Sequence, residues 1–418
     1  MTGGRATDKP LEGSFLRSGS FRALISASLL IMTGFGLLIP ALPLIVKDFG
    51  RGEAAIGLVI TAFALTRLGG SIVTGALIDR FGERALVSTG VVIVGVSSIA
   101  AAAAQNYPAF VALRAAGGVG SALFLGALMA YLVGAVPDDQ RGRAMSVFQA
   151  AVGIGLLIGP VIGGVLIHYT TPAVPLYAYG AVCIVSLPLV WRAISRRIPA
   201  QALERAPAIG DAVPAPRGPA WGRIRPLLRN RTYRAAIAVS GLGFFVTGAL
   251  WTLVPSIWTE RLDQTKATSG IPFAVMATAA LVVVWHAGAL SDRKGRRFAV
   301  IPAVAVTALA SLAIGFAGSS FVMIAAMGAL GLASGYMRPG PTAMVADVSS
   351  LPERGVAVGG YRIAQDVGSL VGPITAGWLA ETAGFASGLV LCAAMAGVVF
   401  VMMLLAEETA PAVRRARA

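Results

Sequence analysis

Charge is scarce in this sequence. Asp, Glu, Lys and Arg make up 13% of its 418 residues, where a water-soluble domain carries about a quarter. Leu24–Val46, Val87–Ala104 and Ala299–Ala317 contain none of the four. Runs of about 20 apolar residues match the hydrocarbon core of a bilayer, and 56% of the chain is hydrophobic. These features exclude a soluble globular protein and imply a polytopic membrane protein. Cysteine is as rare: Cys183 and Cys392 are the only two. Each lies in an apolar segment, so neither a disulfide framework nor a metal spacing is expected. The two histidines, His168 and His286, form no metal cluster, and no G-x-x-x-x-G-K-[ST] phosphate loop occurs. No metal, no cofactor, no enzymatic activity and no ATP-driven pump are therefore expected.

What is present is a series of twelve apolar segments, at 22–46, 54–78, 85–104, 109–136, 143–167, 172–192, 234–258, 270–290, 297–317, 321–346, 355–380 and 386–406. The net charge is +15, yet its placement points to a membrane rather than to nucleic acid. With both termini on one side, 26 of the 34 Lys and Arg fall in the tails and even-numbered connections. Four fall in the opposite connections (Lys47, Arg51, Arg261, Lys266) and four within spans. The positive-inside rule then places both termini in the cytoplasm, and the remaining basic surface contacts anionic lipid. The expected location is the plasma (inner) membrane. The first 21 residues read as a cytoplasmic tail without a cleavable signal, and 407–418 as a second such tail.

The longest polar segment, Arg192–Arg234, holds ten arginines against Glu204 and Asp211. Rich in Pro, Ala and Gly, it reads as a basic cytoplasmic linker over 193–233. A short amphipathic helix is expected in it at Trp221–Leu228. The linker separates bundles of six spans at 22–192 and 234–406. Gly75 and Gly288 are 213 residues apart, as are Asp79 and Asp292, Arg141 and Arg354, and Pro160 and Pro373. In the first span of each half the offset is 212: Gly36 to Gly248 and Pro43 to Pro255. One spacing shared by independent features indicates a duplicated six-helix unit. Parallel repeats of that kind occur in transporters, with the substrate path between the halves.

The clearest repeated pair is GALIDRFGER at Gly75–Arg84 and GALSDRKGRR at Gly288–Arg297. With the twelve spans and the central linker, these loops resemble the major facilitator superfamily, and the match covers nearly the whole chain. The resemblance implies an all-α membrane protein of two pseudo-symmetric six-helix bundles that works by alternating access. It also implies a conformational latch at the two loops that stabilises the outward-facing state. The residues fit such a role: Asp79 and Asp292 accept hydrogen bonds or pair with arginine, and Gly82 and Gly295 permit a tight turn. Arg80, Arg84, Arg293 and Arg297 lie at the membrane boundary, while Gly75 and Gly288 permit close helix approach. Plain orientation by basic residues is the competing reading. Glu83 departs from the basic residue usual at its position, which weakens the first copy. Asp347, at the end of the tenth span, is assigned to the second latch; its counterpart in the first half is Gly134.

The fifth span carries Gly155, Gly159, Pro160, Gly163 and Gly164. The pattern is similar to the antiporter motif of the twelve-helix drug:proton antiporters in that superfamily, although Ser146 stands where a further glycine is usual. It supports export; a helix-packing face is the alternative reading. Gly368, Gly372 and Pro373 repeat it in part.

Charged residues inside spans are costly and usually face a cavity or a partner. Five occur: Arg67, Arg114, Arg338, Arg362 and Asp366. Arg114 is similar to the superfamily's fourth-span arginine, associated with proton transfer, although Gly118 replaces the glutamine usual four residues later. Asp366 is the one acid placed well within a span. Its expected partner is Arg362 at i,i−4, either as a proton-coupling pair that makes and breaks or as a structural ion pair. Phe35, Phe124, Met129, Phe244, Phe245 and Trp251 are candidates for an apolar cavity wall. His286 is expected to make a boundary hydrogen bond.

The expected function is a secondary active transporter that acts as a monomer and exports small organic compounds or drugs against inward proton flow. The alternative is a carrier of an organic anion or other metabolite, since four intramembrane arginines face one acid. Whether Arg67, Arg338 and Arg362 converge on the central cavity discriminates between the two.

Overall fold

The computed structural model describes residues 18–136, 140–194, 220–350 and 353–410. Helices α1 (Gly19–Asp48), α2 (Glu53–Phe81), α3 (Glu83–Ala102), α4 (Tyr107–Ala135), α5 (Arg141–Tyr169) and α6 (Val174–Ala193) form the first half. A short helix, α7 (Ala220–Arg229), leads into the second. That half comprises α8 (Arg231–Ser256), α9 (Ile271–Lys294), α10 (Arg296–Gly315), α11 (Ser320–Met337), α12 (Pro339–Val348), α13 (Arg354–Ala383) and α14 (Phe385–Leu405). The side where α2 ends and α3 begins, and where α7 lies, is called the linker side below; the other is the far side.

Among the described residues, eleven segments are long and apolar enough to cross a membrane, with α11 and α12 counted together. Helix α13 has the length, 30 residues, but is more polar. It packs between α8 of its own half and α2 of the other. A helix enclosed in this way needs no lipid-compatible surface all round, so its Arg362 and Asp366 are tolerated. The fold is all-α with pseudo-symmetric halves. Apolar clusters form in each half, one from Phe21 to Ile194 and one from Leu227 to Ala406, the second joined by Ile39 of α1.

Local sequence sets the helix ends. Ser18, Asn106, Asn230 and Ser319 cap α1, α4, α8 and α11 by accepting backbone N–H bonds. The tenth span is not one helix. Its hydrogen-bond ladder is interrupted at Arg338, because Pro339 lacks an N–H, although Arg338 itself keeps helical dihedrals (φ −75°, ψ −51°). Helix α7 lies where a short linker helix is expected, and its Leu227 is buried in the second-half cluster. Residues 195–219 of the linker, most of the N-terminal tail and 411–418 of the C-terminal tail lie outside the described residues.

The halves meet closely on the far side. Thr61 Oγ1 donates to the Leu370 carbonyl at 2.8 Å, and Ala54 N donates to Glu381 Oε2 at 3.0 Å. A methyl group at Gly57 would overlap Pro373 and Ile374, and one at Gly377 would overlap Glu53 and Ala54. On the linker side, no hydrogen bond or ion pair joins the halves among the described residues. This asymmetry leaves a cavity between the halves, closed at the far side and reaching the linker-side ends of the helices.

Candidate functional site

The cavity has a volume of about 1750 Å³ and is lined from both halves. Arg67 of α2, Arg338 at the α11–α12 break, and Arg362 and Asp366 of α13 all line it. The three arginines converge rather than being taken up separately at helix contacts. Asp366 pairs across the halves: Arg67 Nη2 lies 3.8 Å from Asp366 Oδ1, with both side chains about a third exposed to the cavity. This differs from the expected Arg362–Asp366 pair. Arg362 is one turn away on the same helix but makes no ion pair with Asp366 within 4.0 Å; α2 brings Arg67 closer because Thr61 docks its helix on α13. Tyr361, Gln365 and Thr342 add polar groups nearby, and Thr342 Oγ1 donates to the Tyr361 hydroxyl at 3.1 Å.

Arg114 does not line the cavity. It is 3% exposed, its guanidinium lies 5.0 Å from the Phe63 ring centre, and its Nε finds no acceptor. Of the candidate wall residues, Phe35, Phe124, Met129, Phe244 and Trp251 line the cavity; Phe245 is buried in the second-half cluster instead.

The two loop motifs share a turn and differ in their ion pairs. Gly82 and Gly295 have φ of +77° and +115°, values that side chains disfavour, and each joins two helices there. The last arginine of each copy binds the final helix of its own half. Arg84 stacks on Trp191 at 3.8 Å, and Arg297 Nη2 donates to the Leu404 carbonyl at 2.8 Å. Four residues after the motif aspartate stands Arg296 in one copy and Glu83 in the other. Arg296 accordingly pairs with Asp292 and also lies 3.5 Å from Asp347. Asp79 and Glu83, like charges one turn apart, both line the cavity mouth, and Asp79 has no ion pair among the described residues. A methyl at Gly75 or Gly288 would meet open space, so neither is a point of close approach in this conformation. Arg80 lies over Phe81, 5.3 Å from its ring centre; for Arg293 no partner is found among the described residues.

The fifth-span glycines form two faces. Gly155, Gly159 and Gly163 pack on α1, where added methyls would lie 2.5 to 3.1 Å from Met32, Gly36 and Leu37 atoms. Pro160 and Gly164 instead face Gly270 and Ala267 of the second half. Gly368 and Gly372 pack on α8 in the same manner, and Pro373 faces Gly57 of α2. His286 Nδ1 is 2.7 Å from the Tyr336 hydroxyl.

Two clusters were not anticipated from the sequence. On the far side, Lys47 bonds Glu53 at 2.8 Å and Ser256 Oγ at 2.9 Å, and also pairs with Glu260. Ser256 Oγ donates in turn to Glu53 Oε2 at 3.1 Å. On the linker side, Glu408 accepts from the backbone N–H of Arg296 and Arg297 at 2.9 and 3.1 Å, so the start of the C-terminal tail caps α10. The adjacent Thr409 Oγ1 donates to Asp347 at 2.9 Å.

A duplicated helical bundle enclosing a mainly apolar cavity with a few charged groups between its halves, shut at one end, is the architecture of a membrane carrier. The family model of the Major Facilitator Superfamily matches residues 24–320 and 236–418, and the chain belongs to that superfamily. The chain is accordingly a transporter of that superfamily rather than an enzyme. It is similar to "Multidrug resistance protein 2" of Bacillus subtilis, 29% identical over 144 residues; the match spans 34% of this chain and 36% of that one. In structure it resembles a bacterial homologue of the human lysosomal transporter Spinster in an inward-facing, unoccupied conformation. The TM-score is 0.77 at 15% identity, over 94% of this chain and 97% of that one. It also resembles the human organic anion transporter MFSD10, with a TM-score of 0.65 at 19% identity over 92% and 99% of the two chains. At these identities the likeness establishes the fold.

Proposed function

We propose that the chain carries an organic anion. The observation behind this reading is that Arg67, Arg338 and Arg362 line one cavity in which Asp366 is the carboxylate away from the mouth, Asp79 and Glu83 lying at the mouth itself. Cations on the wall of a cavity enclosed by low-dielectric helices attract an anionic group more strongly than they would in bulk water. Arg338 has no ion pair among the described residues, and Arg362 shares the single nearby carboxylate, Asp366, with Arg67, so a substrate carboxylate, sulfonate or phosphate supplies the missing counter-charge. The linker side is taken as cytoplasmic on the positive-inside rule. The conformation is then inward-facing, with both termini in the cytoplasm of a plasma-membrane protein that works as a monomer. Uptake of a panel of organic anions and cations into proteoliposomes tests the proposal. Transport of anions is expected, lost in Arg338→Gln and Arg362→Gln; transport confined to cations would refute it.

A second reading is proton-coupled export of drugs. It rests on the fifth-span glycines and on the Arg67–Asp366 link between the halves. Protonation of Asp366 would weaken that link as the carrier changes conformation. Asp366→Asn is expected to abolish the dependence of flux on a proton gradient; full coupling in this variant would exclude the role.

A further inference from the structure

Beyond the charge of the substrate, the cavity specifies its other end. We propose that the substrate is an amphipathic anion, with a planar apolar tail held in an aromatic subsite at the closed end of the cavity. The inference rests on the anion reading above. Three rings from three helices meet there. Phe35 of α1 lies 5.9 Å from Phe63 of α2 and 5.8 Å from Trp251 of α8, at interplanar angles of 39° and 59°. Tyr179 of α6 contacts Phe35 edge-on at 6.2 Å. These are the separations and tilts at which aromatic groups attract one another. Phe35 and Trp251 are partly exposed, so their surfaces are available to an occupant.

The subsite is preset. Phe63 is 8% exposed, fixed between Phe35 and the Arg114 guanidinium. No carboxylate lines this end, since the three acids of the cavity wall are Asp366 at mid-depth and Asp79 and Glu83 at the mouth. Arg67 follows Phe63 by four residues on α2. That is one helical turn, or about 6 Å, towards the linker side. Rings and cations therefore follow one another along the cavity axis, first the aromatic cluster, then Arg67, then Arg338 and Arg362. A molecule that satisfies both has its charge towards the open mouth and its apolar end at the far-side closure. Size agrees: a cavity of about 1750 Å³ exceeds the roughly 300–1,000 Å³ of a typical small-ligand pocket. A short hydrophilic anion would leave its apolar end unfilled.

The test uses full-length protein in nanodiscs, with binding by empty nanodiscs subtracted. Its probes share a head group and differ in the tail: naphthalene-sulfonate and methanesulfonate. The aromatic sulfonate is expected to bind about tenfold or more tightly than the methyl one. Trp251→Ala and, as a milder change that preserves volume, Phe35→Leu are each expected to shrink that ratio. Arg338→Gln is expected to weaken both sulfonates. Equal binding of the two sulfonates, or a preference that survives both ring substitutions, overturns the aromatic subsite and leaves the anion reading standing. Binding of neither sulfonate overturns the anion reading and this inference with it, whether or not naphthyl-trimethylammonium, the ring-matched cation, binds in their place.

Discussion

Lys47, at the end of α1, and Glu260, just after α8, pair with opposite charges across the halves. The pair cross-links the first helices of the two halves at their far-side ends, and Lys47 also satisfies Glu53, which is 7% exposed.

The two partners of Lys47 differ in burial, which sets unequal costs. Glu260 is about half exposed, and such pairs contribute roughly 0.2–1 kcal/mol. Glu260→Gln is therefore expected to raise far-side opening by up to about fivefold. Lys47→Gln strands the buried Glu53 and is expected to open the far side considerably more, since uncompensated buried charge costs about 3–5 kcal/mol. Labelling of an Ile60→Cys variant by a membrane-impermeant thiol reagent from the far side reads this out. The background is Cys183→Ser with Cys392→Ser. Equal labelling in both variants, or no change in either, would contradict the lock.

The two loop motifs are expected to fail differently. Asp292 is paired with Arg296 in this conformation, whereas Asp79 faces Glu83 and has no ion pair among the described residues. Asp292→Asn should lower the melting temperature by an amount matching a few tenths of a kcal/mol. Asp79→Asn relieves the like-charge pair with Glu83 and should leave the stability of this state unchanged or raise it by a few tenths of a kcal/mol, and yet reduce transport, on the proposal that its latch forms in the opposite state. Glu83→Arg should give Asp79 an i,i+4 partner here and shift the population towards this conformation. Equal effects of the two Asp→Asn changes on both stability and transport would remove the asymmetry.

Much of this was legible in the sequence because it is written in local or periodic terms. Span positions follow from apolar runs, and the repeat follows from Gly75, Asp79, Pro160 and their counterparts at one offset. The glycine turns at Gly82 and Gly295 are local too. What depends on the rotation of one helix against another was not legible. Asp366 has Arg362 one turn away in the chain, but α2 delivers Arg67 from 299 positions earlier. Glu53 stands at the start of a span, where an acid reads as solvated; its burial results from Gly377 of α13 packing on its backbone. The Glu408 cap on α10 lies in a segment read as tail, and only the return of α14 to the linker side brings it there.

Gly159 and Gly75 offer a contrast between packing and turn chemistry. A methyl at Gly159 would lie 2.6 Å from the Gly36 Cα, a backbone atom that cannot yield locally, whereas one at Gly75 meets nothing within 4 Å. Gly159→Ala should destabilise the protein by about 1–3 kcal/mol, the usual cost of overpacking. Gly75→Ala should leave thermal stability in this conformation within experimental error. If Gly75 matters only when the linker side closes, its alanine variant should lose transport while melting normally. A matched loss of stability in the two variants would mean that Gly75 is already packed in this state.

Arg114 presents the sharpest energetic conflict in the molecule. It is 3% exposed, its neighbours are the face of Phe63 and the hydroxyl of Tyr179, and no hydrogen bond or ion pair to it is found among the described residues. A cation–π contact contributes about 2 kcal/mol when desolvated, well below the several kcal/mol that burying an ion costs. Replacement of a buried charge by an apolar side chain of similar length is often neutral or stabilising. Arg114→Met is therefore expected to melt at the same temperature as the parent protein or higher. A group retained at such cost within a membrane is retained for function, so the same variant should lose most of its transport. Arg114→Lys keeps the charge but not the planar face on Phe63, and should recover little. Normal transport by Arg114→Met would show that the buried cation plays no part in the cycle, and a collapse of folding would show that Phe63 stacking is structural.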